Sequence, residues 1–198
     1  MYLFSMSCWS RFLSLFRPRS QTALDDKQGT ALYMPAQYLP VLIFYQAPLT
    51  GWLQPLKDAI SWWNHSLTAP GEDNSTGPFM LMGPASGQNF ITALERGEAG
   101  MLLVAVRPRE ADPTVQGLTR LRVAADGAIL SSPIYVFSDV QPELRTRVLA
   151  HELGHVLGLA HDEDPTSVMY AQAIPGPFVL AEEDRAHLRA IGSSGRSP

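Results

Sequence analysis

The stretch "HELGHVLGLAHDEDPTSVMY", residues 151–170, places three of the chain's five histidines within eleven residues, and Met169 follows eight positions after the last of them. It sits at the end of "DVQPELRTRVLAHELGHVLG" (139–158), which carries the marks of a helix. Pro142 suits a first turn, and Gly158 suits the left-handed position just past the last one. In that frame His151 and His155 lie four residues apart, so both imidazoles leave one helix face on adjacent turns and can reach one ion. Gly158 lets the chain turn sharply, so that His161 can return as a third nitrogen donor. Three neutral imidazoles leave the fourth position of a tetrahedral zinc open, which is the layout of a catalytic site and not of a closed structural one. Glu152 is rotated about 100° from His151 by the helical period. Its carboxylate therefore points beside the metal, where it can hold a zinc-bound water and take its proton.

Chance is a poor competitor. An HExxH match alone arises in about one chain of this length in a hundred, and requiring Gly158 and His161 at fixed offsets makes coincidence on the order of a thousandfold rarer. Three histidines and a glutamate on one apolar helix would also be costly to bury without a metal or a dense hydrogen-bond network.

The rest of the chain limits what this site belongs to. With 198 residues, 45% of them hydrophobic and 17% charged, it can core one domain. A net charge of -4, with the 15 basic residues scattered, leaves no footprint for nucleic acid. The single cysteine, Cys8, excludes an intrachain disulfide and a cysteine-built finger, so any zinc must be held by histidine and carboxylate.

The N-terminal stretch "MYLFSMSCWSRFLSLFRPRS" is apolar but interrupted by Arg11, too short to span a membrane, and lacks the basic start and cleavage site of an export signal. Leu3, Met6, Trp9, Phe12 and Phe16 recur at helical spacing. Residues 1–17 therefore allow a membrane-surface helix, a damaged export signal or an irregular extension. Pro18, Gly29 and Pro35 mark residues 17–37 as a linker. The expected division is 1–37 outside the core, 38–192 as the folded unit and 193–198 as a tail.

Within that unit "VLIFYQ" (41–46) and "GMLLVAVRP" (100–108) read as buried strands, each ended by a proline. Between them, "TGWLQPLKDAISWWNHSL" (50–67) sets Trp52, Leu56, Ala59, Ile60 and Trp63 at three- and four-residue steps, a helix with Pro55 in its first turn. His65, at its end, reads as a helix-terminal residue and not a ligand. "FMLM" (79–82) is a short candidate strand. "GLTRLRVAADGAILSSPIYVF" (117–137) supplies two more around Asp126-Gly127, a tight-hairpin pair. "LTRLRV" (118–123), alternating polar and apolar, reads as an edge strand. The order of elements predicts a mixed sheet with helices packed on it.

"HELGHVLGLAH" followed by "SVMY" resembles the metzincin clan of zinc peptidases, whose signature is HExxHxxGxxH with a methionine turn beneath the metal. The eight-residue spacing from His161 to Met169 is similar to the matrixin branch, as is the closing helix "LAEEDRAHLRAIG" (180–192). The resemblance implies an α+β fold of the zincin type: a twisted mixed β-sheet, an active-site helix, a second long helix and a C-terminal helix. It implies zinc on His151, His155 and His161, Glu152 as general base, Met169 as the floor and Asp184 as a support of the methionine turn. It also implies that an extended peptide pairs with the edge strand. Leu118, Arg120, Leu121 and Tyr170 are then the substrate-side residues, and the loop 170–178 sets selectivity.

Several features depart from the family. Asp162 stands where matrixins usually carry serine, Tyr170 directly follows Met169, and "SMSCWSR" does not resemble a latency peptide. With only His65 upstream, neither a second histidine-built zinc nor a calcium loop is supported by the sequence. The expectation is a minimal, microbial-type zinc endopeptidase, a monomer acting on extended peptides, secreted or in the cell envelope, with the cytoplasm as the alternative. Two other classes stay open on the residues alone: a zinc amidase acting on a non-protein substrate, and a zinc-binding module without hydrolysis.

Overall fold

The computed structural model describes residues 32–68, 77–85, 100–108 and 114–194. Strand β1 (Val41–Tyr45) leads to helix α1 (Leu53–Leu67), then to β2 (Phe79–Pro84) and β3 (Met101–Arg107). Strands β4 (Gly117–Thr119), β5 (Arg122–Val123) and β6 (Ile129–Phe137) follow, then α2 (Arg145–Val156) and α3 (Glu182–Ser194). A short 3-10 turn at Pro142–Leu144 leads into α2, with the proline at its start as expected.

The strands form one mixed sheet in the order β2-β1-β3-β6-β4, with β5 also on β6. The pairs β1–β2, β1–β3 and β3–β6 are parallel, whereas β4 and β5 run antiparallel to β6. This is the expected α+β layout with an antiparallel strand at one edge. Gly127, at φ 90°, closes the β5–β6 hairpin as the Asp-Gly pair predicts.

Both long helices pack against each other over the sheet. Helix α1 buries Leu56, Ala59, Ile60 and Trp63, and the Trp63 indole donates to the main-chain oxygen of Ala150 at 2.8 Å, which fixes α1 against α2. Every residue of α2 from Arg147 to Val156 is buried. A helix covered on all faces must desolvate whatever polar groups it carries, and here those are the histidines and the glutamate.

Two expectations need correction. Residues 32–37 are not a linker outside the core: Met34 is only 2% exposed, and Tyr33 donates its N–H to Gly127 O while its carbonyl accepts from Ile129 N–H. The pairing is with a hairpin far along the chain, and a lone methionine has no period to read. Residues 1–31 and 195–198 lie outside the described residues. The edge strand expected over 118–123 is also broken. Strand β4 ends at Thr119, opposite Ile134, and the next residue, Arg120, donates to the oxygen of Pro133. Pro133 has no N–H to return, so the ladder is interrupted there; it resumes in the same register at Arg122 and shifts only between Arg122 and Val123.

Candidate metal centre

Helix α2 presents His151 and His155 from adjacent turns, and Gly158, at φ 95°, reverses the chain behind them. His161 then comes back toward the pair. Its ring lies 5.2 Å from that of His151, nearly parallel, and 5.0 Å from that of His155. One ring nitrogen from each of the three lies within 4.8 Å of the others. His151 and His155 are buried, and His161 is exposed at the open side.

Hydrogen bonding decides the tautomers. His151 Nδ1 lies 3.0 Å from Val168 O, and His155 Nδ1 lies 2.9 Å from Leu159 O. Carbonyls only accept, so both Nδ1 atoms carry the proton. Burial, and for His151 also the neighbouring His155, holds the two imidazoles neutral, lowering them to about 3 and about 4. Each Nε2 is therefore a bare lone pair, and the two face each other at 3.1 Å. Two acceptors at that distance repel unless a cation lies between them. Zinc–nitrogen bonds of about 2.0–2.1 Å in a tetrahedron set neighbouring nitrogens roughly 3.3 Å apart, so this donor set fits zinc.

Glu152 is 4% exposed, and burial pushes its carboxyl up to about 7, against the opposing pull of its bonds to Thr119. The Thr119 hydroxyl lies 2.5 Å from Glu152 Oε2 and 3.1 Å from the Glu152 main-chain oxygen. Met169 is fully buried beneath α2, its sulfur against Gly154 where a side chain would collide.

The methionine turn is held by residues that the sequence did not single out. Ser167 Oγ accepts the Met169 N–H at 3.1 Å. Arg147, one turn before His151, donates to the oxygens of Pro165, Ser167 and Ile174 at 2.5, 3.0 and 3.1 Å. Asp184 makes none of these bonds. Its Oδ2 is buried on the first turn of α3 without a partner among the described residues.

The substrate-side residues are also redistributed. Cross-strand partners share a face. Leu118 sits opposite Tyr135, on the face away from the helices, and the guanidinium of Arg120 lies 5.6 Å over the Tyr135 ring. Leu121 packs on the core in the break between β4 and β5, and Tyr170 is half-buried beside Ser167. The face turned to α2 belongs instead to Gly117 and Thr119, opposite the fully buried Val136 and Ile134. Only the alternation of "GLT" hinted at this, and its phase was not readable from the sequence. At the same end, the Gln116 side-chain amide accepts Ala173 N–H at 2.7 Å and donates to Ala173 O at 3.2 Å, tying the edge strand to the loop after the methionine turn.

Residues 135–191 match the matrixin family of peptidases. A probable matrix metalloproteinase from Invertebrate iridescent virus 3 is 54% identical over 37 residues, which is 19% of this chain and 10% of the viral protein. The crystal structure of metalloproteinase-II from Bacteroides fragilis aligns at 12% identity with a TM-score of 0.48, covering 84% of this chain and 55% of that one. The chain thus spans a tenth of the viral relative and about half of the bacterial protein. The three-histidine cluster and Met169 both lie inside the segment 135–191, and it is this segment that is similar to the matrixins.

Proposed function

We propose that the chain is a zinc-dependent endopeptidase in which His151, His155 and His161 hold the metal and Glu152 is the general base. The observation that carries the reading is the pair of bare Nε2 atoms facing each other at 3.1 Å, with a buried carboxylate on the next residue of the same helix. Zinc held there supplies Lewis acidity toward a scissile carbonyl and toward water. Glu152 takes the proton of the attacking water on a carboxylate oxygen and passes it to the departing amide nitrogen. Main-chain hydrogen bonds from the free edge of β4 hold an extended peptide without reading its side chains. The loop 170–178, tied to α2 by Arg147 and to β4 by Gln116, walls the side of the cleft where a substrate side chain is read.

Two measurements test this. Zinc-loaded protein is expected to carry one tightly held zinc per chain by elemental analysis, and a peptide-library digest is expected to show internal cleavage that chelation abolishes. Two tightly held zinc ions, or none after loading, would overturn the metal assignment. Hydrolysis of simple acyl amides but of no peptide would point to an amidase, and zinc without any hydrolysis to a binding module. Substitutions within "AQAIPGPF" (171–178) are expected to reorder peptide preference in the same digest. An even loss of activity across all peptides would place selectivity elsewhere.

A further inference from the structure

The edge strand and the active-site helix meet at one place. Residues 117 and 119 share the face of β4 that turns toward α2, because successive side chains of a strand alternate. Opposite them stands Glu152. A Cβ at residue 117 would collide with the Glu152 carboxylate, so glycine there leaves the space that the carboxylate fills. Two residues on, the Thr119 hydroxyl closes on the same group, 2.5 Å from Oε2 and 3.1 Å from the main-chain oxygen. Gly117 and Thr119 therefore make a two-point seat: one residue gives room, and the other binds.

From this we infer that Thr119 is a positioning residue for Glu152, fixing which carboxylate oxygen is tied to the edge strand and which is left for the reacting water. The inference rests on the peptidase reading above. A free glutamate side chain samples several rotamers, and misplacement of a reacting group by about 1 Å can cost on the order of a hundredfold in rate. Burial alone does not select a rotamer. A directional bond does, and Thr119 supplies one through its hydroxyl, beside a main-chain contribution from the same residue. The hydroxyl carries one hydrogen and two lone pairs, with a second acceptor, Glu152 O, within reach. It can thus donate to Oε2, or accept from it while its own hydrogen turns to the main chain. Arg120 turns its N–H to Pro133 on β6, so in the alternating antiparallel ladder the main-chain groups of Gly117 and Thr119 face the outer edge, and occupancy of that edge and the aim of Glu152 are coupled through the same two residues.

The test uses the zinc-loaded full chain. Thr119→Val, which keeps the shape and removes the donor, is expected to lower kcat about 10- to 100-fold, with KM within about threefold and zinc content unchanged. Thr119→Ser, which restores a hydroxyl, is expected to recover most of the loss. Unfolding midpoints of Thr119→Val, Glu152→Ala and the double variant give the coupling between the two side chains independently of activity, and non-additivity is expected. Parental kcat in Thr119→Val, a serine variant as impaired as the valine one, or additive midpoints would each overturn the role of Thr119. Coupled midpoints in a parent that cleaves no peptide would instead overturn the peptidase reading, and the positioning role with it.

Discussion

Glu152→Gln is expected to lower kcat by about 10²–10⁴-fold while the protein still binds one zinc per chain. The amide keeps the shape of the side chain and can still bond the Thr119 hydroxyl, so the seat under β4 survives. What disappears is the group that takes a proton from water. His151 and His155 keep their own partners, Val168 O and Leu159 O. Kinetics on a peptide chosen from the library digest, with zinc measured on the same preparation, checks both halves. Turnover within tenfold of the parent would show that another group activates the water, and loss of zinc would show that Glu152 takes part in holding the metal.

Arg147→Met is expected to have the largest effect on stability, about 2–4 kcal/mol from leaving buried and half-buried carbonyls without a donor. Arg147 is 3% exposed, and its guanidinium bonds three main-chain oxygens and lies 5.7 Å over the Phe178 ring. Methionine fills a similar volume but offers no hydrogen, so the oxygens of Pro165, Ser167 and Ile174 lose their partner together. Urea unfolding measures the loss. Hydrogen exchange should show faster exchange confined to residues 165–178, with α1 and β1 protected as before. A variant within 0.5 kcal/mol of the parent, a threshold of about the scatter among surface substitutions, would mean that water replaces the guanidinium at little cost.

The three-histidine cluster was readable because its information is local. His151, Glu152, His155, Gly158, His161 and Met169 fall within nineteen residues, and the helical period alone decides which of them share a face. The apolar runs at β1 and β3 and the heptad-like spacing of Leu56, Ala59, Ile60 and Trp63 were readable for the same reason. What stayed hidden depends on partners far along the chain. The break after Thr119 is caused by Pro133 on the neighbouring strand, and nothing in "LTRLRV" itself records it. Thr119 and Glu152 are 33 residues apart, and a threonine in a strand has many ordinary uses. Arg147 looks like any helix arginine until the methionine turn is folded against it. Asp184 was assigned by its place in a motif, whereas the turn is bonded by a serine two residues before the methionine.

Both imidazoles of the buried pair are oriented by main-chain oxygens, those of Val168 and Leu159, with no side-chain partner at Nδ1 among the described residues. A carbonyl of the backbone is present whatever amino acid occupies the position. Substitution at 159 or 168 by any residue that keeps the local path therefore leaves the acceptor where it was, and the ligands keep their tautomer. Centres whose ligands lean on aspartates or glutamates lose that support with one codon change. Here the corresponding vulnerability is transferred to the shape of two turns, so the centre can tolerate wide sequence drift around it and fails only when the chain can no longer follow the same course.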